Sequence, residues 1–484
     1  MSRIELSEAA RARRNACRLL VGGALGAVSL TTVAAPRLPQ AVTDAMRQAN
    51  IPPSACSFIL QDLDDTRPTL AFNVDAPRNP ASVLKLVPTY VALNALGPAF
   101  CWKTPVLAVG PLRDGVLSGD LAFSGSGDPH LTATNLWTVA QRLHGMGLRT
   151  IDGNVLIDRS AFALPPHDPA TFDGDALAAY NAGPDAFLVN FGALRLTFTS
   201  GTTPDAVAVE VDPPMDGFAV DLPPRATHTT CGDWKERLQA DFTNELTPRF
   251  AGTYATSCGE QTWNLVANMP PDAYLQAVLG ALFKEVGIEW KGQVIAGRVP
   301  PGATVLTTWD SDPLALIVRD INKFSNNVMA QQVFLTLALQ AGVNPANFPS
   351  AAAVTRAWLD EHHLGMPDLV LDNGCGLSRT ARISAGDVNR LLRAAWTGPV
   401  MPEFVASLPL AGADGTLAHR FAGTPDAGMI RAKTGTLRDV LALAGYARAP
   451  DGRRRTLVAM INHPRAPDGW GVIEALMAQA LRPA

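Results

Sequence analysis

The chain has no surplus of basic charge. Its 40 Lys and Arg stand against 44 Asp and Glu, a formal net charge of −4. That balance excludes the basic stripe with which nucleic-acid binders neutralise phosphates, and no nucleic acid is expected as a partner. There is no Cys-x-x-Cys pair and no histidine cluster at metal-ligand spacing. His362 and His363 are adjacent and would diverge on a helix, so they read as surface residues; neither a metal site nor a cofactor is expected. No segment recurs at a fixed period, which removes repeat architectures from consideration. The composition is not that of a disordered chain either, with 47% hydrophobic and 17% charged residues.

Among the features that are present, the N-terminus is the first to carry meaning. Arg11, Arg13, Arg14 and Arg18 precede the apolar run Leu19–Leu30, and small residues follow in Thr31–Ala35 before Pro36. Positive segment, short apolar segment and small-residue end are the three parts of a secretory signal peptide. The apolar part is too short to favour a permanent span. Residues 1–35 are therefore expected to be a signal peptide, cut after Ala34 or Ala35, with export to the periplasm and no stable membrane anchor afterwards. The Arg13-Arg14 pair hints at twin-arginine export, although the residues after it fit that pattern poorly. Of six cysteines, removal of Cys17 leaves five, so one stays free or pairs with another molecule. Cys231 and Cys258 share one polar, turn-rich stretch and form the expected disulfide, consistent with an oxidising compartment.

A chain of 484 residues exceeds what one hydrophobic core usually serves. Alternation in Ser57–Leu63 predicts a strand, and Leu70–Phe72 a second. A helical pattern spans Ser82–Leu96, stopped by Gly97-Pro98, with Pro88 expected to kink it or end its first segment. From about 99 to 270 short β-like runs alternate with loops rich in Gly, Pro and Asp, around one helical stretch at Leu136–Gly147. Helices return at Tyr274–Val286, Pro313–Lys323, Asn327–Leu339 and Ala351–His362, and Ser384 with Asp387 resembles the start of another. Strands at Leu441–Arg448 and Arg455–Ile461 and a helix at Gly471–Leu481 close the chain. The last helix almost lacks a basic face, so it is expected to pack on the terminal sheet rather than lie on a membrane.

Three short motifs carry chemistry. Ser82 and Lys85 lie three residues apart at a helix start, on one face, and a lysine desolvated enough to lose its proton can serve a serine nucleophile as base. Ser325-Asn326-Asn327 falls between two helices, where Ser325 could relay a proton and the Asn327 amide could meet a peptide bond. Lys433-Thr434-Gly435-Thr436 leads into the Leu441–Arg448 strand; a lysine and a hydroxyl there could hold a carboxylate, and Gly435 would let the backbone approach it. Each motif alone is commonplace, a surface turn or a helix cap. In this order, and in these settings, they form the three-part set of penicillin-interactive serine enzymes.

With these motifs the chain resembles the low-molecular-mass penicillin-binding proteins of the D-alanyl-D-alanine carboxypeptidase/endopeptidase type (class C). The likeness runs through Asn79–Leu86, Asn322–Asn327 and Ala432–Thr436. It extends to Gly125–Pro129, Tyr180–Ala182, Asp372–Arg379 and Leu410–Leu417. The 243 positions between Ser82 and Ser325 (325 − 82) leave room for a large insertion, which β-lactamases lack. One departure is Cys375, where the family usually has Ser.

The resemblance implies an α/β fold, a transpeptidase/β-lactamase-like domain with an antiparallel sheet flanked by helices and a large inserted mixed α/β region. That domain would comprise 36–98 and 271–484, and the insertion 99–270. It implies a serine peptidase acting on peptidoglycan stem peptides and cross-links, acylated by β-lactams. Ser82, Lys85 and Ser325 would be catalytic; Asn327, Lys433, Thr434, Gly435 and Thr436 would bind substrate, and the Ser82 and Thr436 amides would form an oxyanion hole. The alternatives are a β-lactamase or esterase of the same superfamily, or a catalytically silent wall-binding homologue. The role of the insertion and the balance between carboxypeptidase and endopeptidase action stay open.

Overall fold

The computed structural model describes residues 38–483 apart from 202 and 204, so the segment read as a signal peptide lies outside the described residues. Five strands form the sheet that carries the site, in the order Ile430–Leu437, Val440–Arg448, Arg454–Asn462, Cys56–Asp62, Leu70–Phe72. Every neighbouring pair is antiparallel. The central strands are buried along almost their whole length, because both faces are covered. Side chains alternate between the faces. Ile59, Ala442, Ala444, Val458 and Met460 join one core with the helices Leu86–Ala95, Leu314–Phe324, Asn327–Gln340, Phe348–Glu361 and Ala385–Thr397. Phe58, Leu60, Leu441, Leu443, Leu457 and Ile461 join the other, against the helices Gln40–Gln48 and Trp470–Ala480. The terminal helix thus packs on the sheet through Val472, Ile473, Leu476 and Met477. No helix among the described residues is long and apolar enough to cross a membrane.

The chain leaves this layer at Phe100–Trp102 and re-enters it at Ser311–Leu314. The two crossings lie side by side: the Trp102 amide donates to Ser311 Oγ (2.9 Å) and the Leu314 amide to the Phe100 carbonyl (2.8 Å). Between them a second five-stranded sheet runs in the order Val294–Ala296, Val155–Asp158, Asp120–Ser124, Lys103–Val109, Thr304–Asp310. It packs against the helices Ala133–Gly145 and Pro271–Val286 through Phe123, Leu136, Val155, Ile157, Val278 and Leu282. The sequence pattern places the end of the inserted region at 270, yet residues 271–310 contribute to this second sheet and its core. An amphipathic helix shows in its sequence that it has a partner, not which of two cores the partner belongs to. A three-stranded antiparallel sheet, Val207–Asp212, Ala193–Ser200 and Gln261–Val266, lies in the same region beside smaller sheets. The Cys231–Cys258 disulfide (Cα–Cα 4.8 Å) is present, with Cys258 buried in the same core.

Candidate active site

The Ser82 turn is built from the backbone up. Residues Ala81–Lys85 form a 3-10 turn and the α-helix proper begins at Leu86. Pro88 therefore sits in the first turn of that helix, where its missing N–H costs nothing, and the helix is segmented before it rather than kinked at it. Ala81 adopts a positive φ of 46°, a conformation a non-glycine residue holds only when its surroundings impose it. Asn79 imposes it. Its Oδ1 accepts from the Ala81 amide (2.9 Å), its Nδ2 donates to the Ser378 carbonyl (2.7 Å), and its backbone exchanges two hydrogen bonds with the Asn462 side chain (2.7 and 2.9 Å). The Ser82 turn is thereby fastened to the central Arg454–Asn462 strand.

Lys85 is fully buried beneath Ser82. Its Nζ makes three contacts, enough for all three protons of an ammonium: Ser82 Oγ at 2.9 Å, Asn327 Oδ1 at 2.7 Å and the Cys375 carbonyl at 2.6 Å. None of these acceptors is a carboxylate. Burial accordingly dominates and lowers the Lys85 pKa to about 8, with the Cys375 side chain a smaller opposing influence. Lys433, also fully buried, donates to Ser325 Oγ (2.9 Å) and to the Thr434 carbonyl (2.8 Å). Its pKa is held well below the usual lysine range, first by burial and then by repulsion from Lys85.

Ser325 occupies the left-handed region (φ 58°) between the helices Leu314–Phe324 and Asn327–Gln340. A helix cap forms next door, where the Asn326 side chain accepts from the Met329 amide (3.1 Å). That cap fixes the first turn from which Asn327 reaches Lys85. Asn327 Nδ2 also donates to the Tyr180 carbonyl (2.9 Å), so one of its two N–H bonds is used and its orientation is set.

Lys433–Thr436 do not merely precede a strand; they lie within Ile430–Leu437, at the edge of the sheet. Thr434 Oγ1 donates to Thr416 Oγ1 (2.7 Å). Thr436 is exposed. A Cβ at Gly435 would stand 2.5 Å from the Pro80 carbonyl oxygen and 3.0 Å from the Ser82 nitrogen, so the strand is flush against the Ser82 turn. All eight residues singled out in the sequence thus gather at one place: Ser82, Lys85, Asn327 and Ser325 on the helical side, and Lys433, Thr434, Gly435 and Thr436 on the edge strand.

Several neighbours were not assigned a part by sequence reasoning. In sequence the Asp372–Arg379 stretch carries only a family likeness. Here the Asn373 side chain accepts from the amides of Cys375 (3.0 Å) and Gly376 (3.2 Å), forming the loop that presents the Cys375 carbonyl to Lys85. Gly376 (φ 82°) has no room for a side chain, since a Cβ would lie 2.0 Å from the Ala81 carbonyl oxygen. Cys375 itself is buried, and its Sγ accepts from Gln331 Nε2 (3.3 Å). Lys323 pairs with Asp414, and Asp414 Oδ1 accepts from the Leu410 amide (2.7 Å), holding the loop that carries Thr416. The signal for these positions is a backbone carbonyl or a remote pairing, which residue type does not reveal. Among the described residues no cluster of His, Cys, Asp and Glu is suited to a metal ion.

A buried lysine under a half-exposed serine, faced by a Ser-x-Asn turn and a Lys-Thr-Gly edge strand, is the layout of a serine enzyme that works by acyl transfer. The fold is shared with penicillin binding protein 4 (dacB) from Haemophilus influenzae. The TM-score is 0.73 at 23% identity, covering 91% of this chain and 99% of that one. The same protein complexed with a β-lactam aligns with a TM-score of 0.70 at 22% identity, over the same shares. In sequence, the D-alanyl-D-alanine carboxypeptidase of Actinomadura sp. (strain R39) is 31% identical over 394 residues, 76% of this chain and 70% of that protein. Residues 38–480 match the D-Ala-D-Ala carboxypeptidase 3 (S13) family. The chain belongs to that family of peptidases.

Proposed function

We propose that this D-Ala-D-Ala carboxypeptidase acts through an acyl-enzyme on Ser82, with Lys85 as the base. The observation that carries the reading is the 2.9 Å contact between Ser82 Oγ and a fully buried Lys85 amine that has no carboxylate partner. In its neutral form that amine accepts the serine proton as Oγ attacks the carbonyl of the penultimate D-alanine. The amides of Ser82 and Thr436 receive the developing oxyanion between the turn and the edge strand. The free N–H of Asn327 orients the amide on the acyl side. Ser325, bonded to Lys433, returns a proton to the departing amine. Lys433 with Thr434 and Thr416 meets the terminal carboxylate. Water then releases the acyl group. A β-lactam enters by the same attack, but its amine stays tethered, so the adduct is long-lived.

The substrate in this reading is the stem peptide of peptidoglycan, either a D-alanine terminus or a cross-link, and the place of action is the periplasm. The Arg-rich and apolar segment at 11–30 and the Cys231–Cys258 disulfide support an oxidising, extracytoplasmic setting. The test is the intact mass of the mature protein with benzylpenicillin, beside Ser82→Ala. A persistent adduct on the wild type alone is expected. An adduct on Ser82→Ala, or D-alanine release by it, refutes the nucleophile; rapid loss of the adduct with consumption of penicillin would instead make the chain a β-lactamase.

A further inference from the structure

Phe324 is the most exposed of the large apolar side chains among the described residues, 64% accessible. It joins no hydrophobic cluster and pairs with no aromatic ring. Its position is what gives the exposure meaning. Phe324 is the last residue of its helix, and the next residue is Ser325, whose Oγ lies 2.9 Å from Lys433 Nζ. The preceding residue, Lys323, is tied to Asp414 in the loop that supplies Thr416 to Thr434. Its backbone is therefore held on both sides by groups of the site, with Cα atoms only about 3.8 Å apart along the chain. Only three large aromatic side chains among the described residues are exposed: Trp137, Tyr180 and Phe324. At the far end of the same turn Asn327 is tied by its Nδ2 to the Tyr180 backbone carbonyl (2.9 Å). A phenyl ring left in water at a rigid point beside the chemistry is binding surface not yet used.

We propose that Phe324 is a specificity-determining residue that favours cross-linked peptides over free D-alanine termini by packing against the leaving strand. This rests on the reading of Ser82, Ser325 and Lys433 given above, in which Ser325 stands on the side of the departing amine. In both reactions the Ser82 Oγ–carbonyl bond forms, the carbonyl–nitrogen bond breaks, and the nitrogen takes a proton; water then cleaves the ester. What differs is the size of the leaving amine. A D-alanine terminus leaves as free alanine, with a single methyl group and little to offer a phenyl ring. In a cross-link the amine belongs to the side chain of a diamino acid, whose methylenes continue past the scissile bond. Those methylenes can cover the Phe324 ring, and apolar area removed from water favours their binding.

The experiment uses the full mature chain and its Phe324→Ala and Phe324→Leu variants. The substrates are a muropeptide ending in D-Ala-D-Ala and a D,D-cross-linked muropeptide dimer, with benzylpenicillin acylation measured in parallel. For Phe324→Ala, kcat/KM on the dimer should fall about tenfold, chiefly through KM, a change equal to about 1.4 kcal/mol. On the D-Ala-D-Ala substrate it should fall by less than about twofold, and Phe324→Leu should keep most of the dimer activity. Equal losses on both substrates, or none on the dimer, overturn the proposal while leaving Ser82 as nucleophile. Loss of penicillin acylation in Phe324→Ala also overturns it, because the ring would then be shaping the site rather than reading the leaving strand. Failure of the wild type to acylate at Ser82 is a different result, and it would remove the underlying reading itself.

Discussion

The protonation state of Lys85 offers the most quantitative test of the site. Burial lowers its pKa from 10.5 to about 8. At roughly 1.36 kcal/mol per unit, that corresponds to roughly 3 kcal/mol of preference for the neutral amine. The sign follows from charge: the protonated form is the one that burial penalises, so the base form is gained as pH rises. At pH 7 about one amine in ten is neutral, against about three in ten thousand for a free lysine, a gain near 300-fold in the reactive form. The rate of Ser82 acylation by a β-lactam, followed by stopped-flow or by quenched mass spectrometry, should climb about tenfold per unit below the midpoint and level off above about pH 8. Asn327→Asp supplies a perturbation of known direction. Asn327 Oδ1 lies 2.7 Å from Nζ, and a carboxylate there favours the ammonium, moving the midpoint up by about 1–3 units. Acylation that is flat between pH 6.5 and 9.5 in a folded protein, or a midpoint unmoved by Asn327→Asp, would refute Lys85 as the base.

Two further outcomes follow from the geometry. Gly435→Ala should slow acylation at least tenfold and lower stability by about 1–3 kcal/mol, since its Cβ meets backbone on the Ser82 turn at 2.5 and 3.0 Å; thermal melting and the acylation rate check both. Replacing Cys231 and Cys258 together by Ser should cost about 3.5 kcal/mol by releasing a 27-residue separation, seen in a urea melt, yet leave the acylation rate constant unchanged, because the pair packs in the core beneath the second sheet and not against the site.

The amino-acid sequence by itself determined the three motifs and most of the elements. Ser82 with Lys85, Ser325 with Asn327 and Lys433–Thr436 are read locally, because their value lies in residue type at short spacing on a helix start, a turn and a strand. The Cys56–Asp62 strand was legible locally too, from the alternation in Ser57–Leu63, and the Val440–Arg448 strand from its run Leu441–Arg448. The tertiary structure alone decided what depends on distant pairing. Lys85 is stripped of water by elements more than two hundred residues away, through Asn327 and the Cys375 carbonyl, and a carbonyl has no signature in sequence. Asn462 fastens the Ser82 turn through Asn79 across 383 positions, and no spacing rule anticipates such a pair. The helix Pro271–Val286 could have served either core; its apolar stripe specifies burial, and only packing assigns it to the second sheet. Periodicity and motif act within one element, whereas desolvation and partner choice are properties of the assembled interior, where residues far apart in the chain exclude water together.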